Sequence, residues 1–425
     1  MKLEIITVGT ELVQGQTINT NAALLAQAFA SIGILSFNQQ VVDDNPTRLE
    51  EAIRIAATRA ELIVLAGGIG PTHDDLTKES LAHFLGQELI VDFQQWQYIQ
   101  DYFKKQNRQL SPLEYKQALT FKEGYCFHTE DGLACGSLYF AADANQYYLC
   151  LPGPPSELKA MLEKEVLPYF KEKIDQTIAI KSIYLNFYGI GESQVAHILD
   201  PIIKKTKELE IAIYAKPRHI RLVLNQKQEK TADNNQLLDK TAQQIIAKLK
   251  DYYIGEGREH TIEAYLIDRL KQLNLTLSGA ESLTGGKMLS RLTQIPGAST
   301  VIKGGFVVYQ AQTKVDLLSV DPMIIEEYSV YSEQCACAMA EQCLKLSGSD
   351  LALALSGVAG PGSDQGHPAG EVYLACASKN RPTEWQKLML PNRGRDYVRD
   401  LATNYGYELI KRVVEQKFAK NLSLD

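Results

Sequence analysis

The sequence predicts an α/β protein in which two α/β/α sandwich domains, at 1–168 and 258–425, are joined by a small α+β domain at 170–255. Three observations predict this. At both ends, short apolar runs alternate with amphipathic stretches, the pattern of a parallel sheet carrying helices on both faces. Glycine-rich turns close several of the runs, at Gly9, Gly67-Gly68, Gly279 and Gly357, where the carboxyl ends of strands present functional loops. Between the two ends the pattern changes to a strand, a helix, a strand pair and a long polar-faced helix.

In chain order, Leu3–Val8 reads as the first strand, Asn21–Ser31 as a helix and Glu61–Ala66 as a buried strand. G-T-E-L (9–12) and G-G-I-G-P-T-H-D-D-L-T (67–77) then lie beyond strand ends. Backbone at Gly67 and Gly68 suits a phosphate, and carboxylates at Glu11, Asp74 and Asp75 suit a divalent cation; Thr72 belongs to the same loop. No G-K-[ST] follows, so this is not a P-loop. Adjacent residues on a regular element point apart, so Asp74 and Asp75 need not share one metal, and Asp75 reads equally as a helix cap. A plain turn is the alternative for the whole loop.

In the middle, Ile183–Tyr188 is strand-like, G-I-G-E-S (189–193) opens a helix to Leu199, Ile211–Tyr214 and Ile220–Leu224 form a strand pair, and Thr231–Leu249 is a helix. Thr261 reads as the N-cap that opens the last domain. There T-L-S-G-A-E-S-L-T-G-G (276–286), followed by the amphipathic run Lys287–Leu292, is strand, tight turn and helix. A serine in that turn sits at a helix N-terminus, where unpaired N–H groups favour an anion, whether an oxyanion or a substrate phosphate. Phe306–Tyr309 reads as a buried strand, with Tyr309 near its end and Lys314 on the turn or helix beyond. A lysine kept neutral by desolvation activates a serine, which makes Ser282 and Lys314 candidates for a nucleophile and its base. A capping turn, a packing tyrosine and a solvated lysine account for the same residue types. Gly357 and Gly360, in S-G-V-A-G-P-G-S-D (356–364), would let backbone approach a ligand closely, or form only a strand-end turn. Arg395 and Arg399 begin the last helix, and arginine suits a phosphate fork.

Composition sets outer bounds. With 425 residues, 45% hydrophobic and 22% charged, the chain has the make-up of a globular protein of two or three domains. A net charge of −7 argues against a general nucleic-acid-binding surface, and no direct nucleic-acid contact is expected. No apolar run approaches the ~20 residues of a membrane span. Met1 leads directly into the strand-like K-L-E-I-I-T-V without a signal-peptide pattern, so a cytoplasmic location is expected. Seven cysteines, an odd number, fit reduced thiols. Cys335, Cys337 and Cys343 lie on an alanine-rich helical stretch with no second Cys/His cluster at metal spacing, and read as small core residues.

Several of these motifs together resemble one family. E-S-L-T-G-G (281–286), P-G-A-S-T (296–300), K-G-G-F-V-V-Y (303–309) with Lys314, S-G-V-A-G-P (356–361) and G-E-V-Y-L-A (370–375) resemble the nicotinamide-nucleotide amidase domain of the CinA competence/damage-inducible family. G-T-E-L-V-Q-G (9–15), Asn19, Asn21 and the loop at 67–77 resemble the same family's molybdopterin-binding-like domain, so the resemblance covers nearly the whole chain in family order. It implies hydrolysis of the carboxamide of nicotinamide mononucleotide to nicotinate mononucleotide and ammonia, in pyridine nucleotide salvage, without cofactor or metal. By the same resemblance Ser282 is the nucleophile, Lys314 its base, and Tyr309 is hydrogen-bonded within that pair. The N–H groups of Thr284, Gly285 and Gly286 would face the oxyanion, a term often worth ~3 kcal/mol per donor. Glu281 would meet the ribose or a cation, or be structural; Arg395 would meet the phosphate, and Arg399 would be structural. The family most often has cysteine where this chain has Leu283, which removes a thiol nucleophile and leaves Ser282.

For the N-terminal domain the resemblance implies hydrolysis of the pyrophosphate of ADP-ribose, with a divalent metal at Asp75 and potassium. Two departures weigh against that activity: Glu114 where members carry asparagine, and Cys135 where they carry proline. L-P-G-P-P-S-E-L-K-A-M (151–161) is retained, so the fold and nucleotide binding are still expected. A homodimer is also implied. The reading from another class is a non-catalytic partner of competence or recombination proteins that keeps the enzyme folds as binding surfaces.

Overall fold

The computed structural model describes residues 1–173, 178–229 and 236–417. The chain divides into two compact units, the first ending at Ile180 and the second taking up from Lys181.

The first unit contains β1 (Lys2–Val8), β2 (Leu35–Val42), β3 (Leu62–Ala66), β4 (Leu89–Val91), β5 (Leu119–Phe121), β6 (Tyr125–Phe127), β7 (Gly136–Ala141) and β8 (Gln146–Leu151). Its main sheet has the order β2-β1-β3-β8-β7-β6, while β4 and β5 pair separately. The sheet is not wholly parallel, as the alternation had suggested: β2, β1, β3 and β8 run parallel, but β7 is antiparallel to both β8 and β6. The link from Ala141 to Gln146 is too short for a crossover, so β7 and β8 must form a hairpin. Alternate residues of the central strands feed two cores. Leu3, Ile5, Leu62 and Val64 pack with Leu25, Phe29 and Phe170 on one face; Ile6, Val8, Ile63 and Leu65 pack with Leu49, Ile53 and Leu81 on the other. The helix Thr20–Ala30 starts where the Asn19 side chain accepts the Ala22 N–H at 3.1 Å.

The second unit begins with β9 (Ile178–Tyr188), β10 (Leu209–Lys216), β11 (His219–Glu229) and β12 (Tyr253–Glu256), in the order β10-β11-β9-β12. The helix Glu192–Lys205 runs past the expected end at Leu199, because Ile202 and Ile203 still pack on the module's core. A second helix is described over Gln236–Lys248; Thr231, its expected start, lies outside the described residues. The last sheet holds β13 (Leu277–Glu281), β14 (Ile302–Val307), β15 (Leu351–Gly357), β16 (Glu371–Ser378) and β17 (Arg381–Met389), in the order β14-β13-β15-β16-β17. β14, β13 and β15 are parallel, and β16 and β17 antiparallel. The Thr261 side chain caps the helix Ile262–Gln272, accepting the Ala264 N–H at 3.3 Å. Cys335 and Cys343 are core residues beneath the sheet, as expected.

The middle module is more than a connector. Tyr188 and Ile254 belong to the same hydrophobic core as Leu266, Leu353 and Tyr407 of the last domain. The Tyr188 hydroxyl donates to the Asn404 carbonyl at 3.0 Å, and Arg218 pairs with Glu408. Among the described residues, no helix is long and apolar enough to cross a membrane.

Candidate active sites

Two places in the fold gather the residues singled out from sequence. In the second unit, β13 lies inside the sheet and continues past Gly279 to Glu281, which is fully buried. The turn 282–286 then leads into the helix Lys287–Thr293. Gly285 and Gly286 both adopt left-handed backbone, φ +59° and +95°, so the turn needs glycine there.

Glu281 is engaged within the protein. Its carboxylate accepts the N–H groups of Gly286 at 3.0 Å, Met288 at 3.0 Å and Leu289 at 2.9 Å. The helix N-terminus that the sequence offered to an anion is therefore occupied by the protein's own anion, which suits the helix dipole. The expected oxyanion donors shift in consequence. Gly286 N–H is taken by Glu281, and Gly285 N–H donates to the Ser282 carbonyl at 3.1 Å. The N–H groups of Leu283 and Thr284 have no partner among the described residues. The Thr284 hydroxyl is likewise buried without one.

Ser282 is held by its own N–H, which donates to the Leu355 carbonyl of β15 at 3.0 Å. Its Oγ accepts from Lys314 Nζ at 3.2 Å across 32 residues of chain. Lys314, on the helix Ala311–Leu318, is 1% exposed, and its second hydrogen bond goes to the Val308 carbonyl at 3.0 Å. Burial lowers its pKa from the usual lysine value, with a small opposing effect of nearby Cys335. No carboxylate pairs with it among the described residues, so no ion pair offsets the burial, and it gives up its proton more readily than an exposed lysine does.

Tyr309 was expected inside this pair and is not there. β14 is an edge strand, alternately half-buried and exposed, so its continuation places Tyr309 at the surface, 56% exposed. Its hydroxyl accepts from Arg395 Nη2. Arg395 Nη1 donates to the Gly360 carbonyl at 2.8 Å, so the arginine ties Tyr309 to the loop after β15 and its Nη groups are already engaged. Gly360 has left-handed backbone, φ +86°. Gly357 is a packing residue: a Cβ there would lie 2.5 Å from the Glu371 carbonyl oxygen on β16. Arg399 holds the nucleophile turn, donating to the carbonyls of Leu283 at 3.1 Å and Thr284 at 2.8 Å. Its spacing to Arg395 on one helix was visible in sequence, but not its target.

In the first unit, Glu11, Gly67, Gly68, Thr72, Asp74 and Asp75 all line one cleft of about 510 Å³ at the carboxyl ends of the parallel strands. Asn19, Asn21, Asp44 and Gly153 line it too. Asp44 had been passed over, although it follows β2 as Gly9 follows β1. Gly67 and Gly68 are tight-packing positions: Cβ atoms there would meet the Val8 carbonyl oxygen at 2.2 Å and Thr77 Oγ1 at 2.3 Å. One oxygen of Asp75 is already engaged within its turn. Its Oδ2 accepts both the Thr72 N–H at 2.8 Å and the Thr72 hydroxyl at 2.7 Å, closing the turn instead of capping the next helix. Lys116 braces the same turn through the Thr72 carbonyl at 2.9 Å. Asp44 Oδ2 is similarly engaged by Thr10. No three of the cleft's carboxylates come together as a metal site among the described residues, so the cation expected at Asp75 finds no preformed cage. Glu114, one of the two departing residues, is buried against Gln117, whose Nε2 donates to its Oε2 at 2.5 Å. One atom in the cleft does call for a ligand: Asn21 donates through Nδ2 to the Gly153 carbonyl at 2.6 Å, and its buried Oδ1 has no partner.

Comparison with known proteins finds matches along the chain. Residues 259–414 match the family model of the CinA C-terminal domain, 182–255 that of the damage-inducible protein CinA KH domain, and 4–172 that of a probable molybdopterin binding domain. A relative from Geobacillus sp. (strain WCH70) is 38% identical over 411 residues, 96% of this chain and 98% of its own. One from Bacillus subtilis (strain 168) is 37% identical over 416 residues, 98% of this chain and 99% of its own. Both are named competence-damage inducible proteins. A crystal structure of the competence/damage inducible protein CihA from Agrobacterium tumefaciens is 30% identical, covering 37% of this chain and 98% of that one at a TM-score of 0.35. With relatives of this similarity matched over 96% and 98% of its length, the chain belongs to the CinA family of competence/damage-inducible proteins.

Proposed function

We propose that the second unit is an amidohydrolase that removes ammonia from nicotinamide mononucleotide by a Ser–Lys mechanism. The observation that carries this reading is Lys314 Nζ, sealed from water with no carboxylate partner, 3.2 Å from Ser282 Oγ. In this reading neutral Lys314 takes the Ser282 proton as Oγ attacks the carboxamide carbon. The unpartnered N–H groups of Leu283 and Thr284 receive the developing oxyanion. The tetrahedral intermediate collapses, and protonated Lys314 returns its proton to the leaving amine, releasing ammonia and leaving a nicotinoyl ester on Ser282. Water, deprotonated by the same lysine, hydrolyses the ester to nicotinate mononucleotide. Arg395 is the proposed phosphate contact, exchanging Tyr309 for the phosphate, since the two meet at the surface and Tyr309 follows Val308, whose carbonyl accepts from Lys314.

The test is ammonia release from nicotinamide mononucleotide by the full chain, with and without EDTA. Activity is expected to resist chelation and to fall by on the order of 10³-fold or more in both Ser282→Ala and Lys314→Ala. Unchanged turnover in either folded variant rejects the mechanism.

A second reading concerns the first unit and rests on the orphaned Asn21 Oδ1 in the strand-end cleft. It is a nucleotide-binding site, with ADP-ribose as the ligand suggested by the resemblance; a ribose hydroxyl or an adenine amino group would supply the missing donor. No step is drawn through a metal or potassium. Calorimetry with ADP-ribose should show binding that weakens about tenfold or more in Asn21→Leu. Absence of binding to wild-type protein removes this reading. No nucleic-acid partner is proposed: 182–255 contains no G-x-x-G, the loop with which KH domains clamp a nucleic-acid backbone.

A further inference from the structure

Away from both sites, Asp92, Cys126 and His128 bring a carboxylate oxygen, a thiol sulfur and an imidazole nitrogen within 4.8 Å of one another, each residue half-buried. The local chain explains the meeting. Cys126 and His128 are two apart at the end of β6, so they leave the strand on one face, while Phe127 between them turns into the core. Asp92 precedes the helix Phe93–Lys105 and is fixed as its N-cap, with Oδ1 accepting the Gln95 N–H at 2.8 Å. The same Oδ1 faces His128 Nε2 at 2.9 Å, and Oδ2 has no partner among the described residues.

We infer that Asp92, Cys126 and His128 form a three-ligand site for a thiophilic divalent cation of the zinc class. Sulfur, imidazole and carboxylate are the donors such ions take, whereas magnesium and calcium prefer oxygen alone. Tetrahedral ligation sets donor atoms roughly 3.3–3.6 Å apart, a spacing these side chains reach by exchanging the Asp92–His128 contact for the ion. The thiolate and carboxylate supply two negative charges against the ion's two positive ones. The helix cap orients Asp92 in advance, as outer partners do in metal sites. His128 also lines, with Tyr98, Thr129 and Lys164, a pocket of about 320 Å³ from which water or an exogenous ligand would supply a fourth partner. The sequence reading sought paired Cys/His motifs and passed over C-F-H at 126–128, because the third ligand stands on a distant helix cap.

The test uses the full chain, kept reduced, titrated with Co²⁺ and followed by absorption. A thiolate-to-cobalt charge-transfer band saturating at one equivalent, and displaced by Zn²⁺, is expected. Cys126→Ser should abolish the band, and His128→Ala and Asp92→Asn should weaken binding by about 10-fold or more. Asp92→Asn keeps a capping acceptor, so it separates ligation from folding. Cys337→Ser, in the other unit, should leave the titration unchanged. Absence of the band in reduced wild-type protein overturns the inference, as does a band that survives in Cys126→Ser. A hydrogen-bonded Asp–His pair beside an unrelated thiol predicts one of those two results.

Discussion

At the scale of a residue, Lys314 shows how a functional group weakens the fold that holds it. An ammonium sealed from water is costly unless its hydrogen bonds compensate, and Lys314 has two acceptors, one of them only a hydroxyl. Burial therefore lowers its pKa in the folded chain below the ordinary value of 10.5 that it regains on unfolding. Below the lowered pKa both states carry the proton, and the whole cost of burying the charge is present. Between the two values the unfolded chain binds more protons, so stability rises with pH. The folding free energy of wild type minus that of Lys314→Met is expected to move in favour of wild type through that window, by up to ~1.4 kcal/mol per pH unit. Urea titrations of both proteins at several alkaline pH values measure it; parallel pH profiles would show that burial does not lower the Lys314 pKa. Ser282 and Lys314 were legible in sequence because a strand–turn–helix and a following strand put them at neighbouring strand ends. Tyr309 was not, because an apolar tetrad reads the same on an edge strand as in the middle of a sheet, and only β14's single neighbour exposes it.

At the scale of an element, the nucleophile turn depends on Glu281. One buried carboxylate at the end of β13 closes three N–H groups at the start of the helix Lys287–Thr293. Arg399 holds the other side of the turn through the Leu283 and Thr284 carbonyls. The turn is thus fixed from both sides, and the Leu283 and Thr284 N–H groups have no partner among the described residues. Glu281→Ala should cost about 1–3 kcal/mol, the range for stranding buried donors. Hydrogen exchange at the Gly286, Met288 and Leu289 amides should quicken by a matching factor. Protection unchanged at those three amides would mean that the carboxylate does not hold the helix. Local capping rules could not find this contact, since they look for an acceptor at the N-cap itself, and here it reaches back from five residues before Gly286. The same limit hid the role of Asp75, whose side chain closes its own turn with Thr72.

At the scale of the whole molecule, the change of pattern near 170 and again near 255 was readable, because hydrophobic periodicity changes there. What it could not reveal is which neighbour the middle module joins. Tyr188 and Ile254 look like core residues of their own module, yet they pack with Leu266, Leu353 and Tyr407 of the last domain. Arg218 carries the polar part of that junction. It donates through Nε to Glu408 at 3.0 Å and through Nη2 to the Gly189 carbonyl at 3.1 Å, and lies 4.5 Å over the Tyr405 ring. Removing it strands a partly buried carboxylate and a carbonyl at the junction, for a loss of about 1–2 kcal/mol. The chain reports on this directly, because Trp96 lies in the first unit and Trp385 on β17 of the second. In a Trp96→Phe background, Trp385 fluorescence sees the last domain alone. Arg218→Ala is then expected to lower the urea midpoint that Trp385 records, although the substitution lies in the middle module. In the complementary Trp385→Phe background, the Trp96 transition should not move. If the Trp385 midpoint stays in place while the middle module melts earlier, the two parts of the second unit unfold separately, and the shared core holds them together without making them one cooperative body.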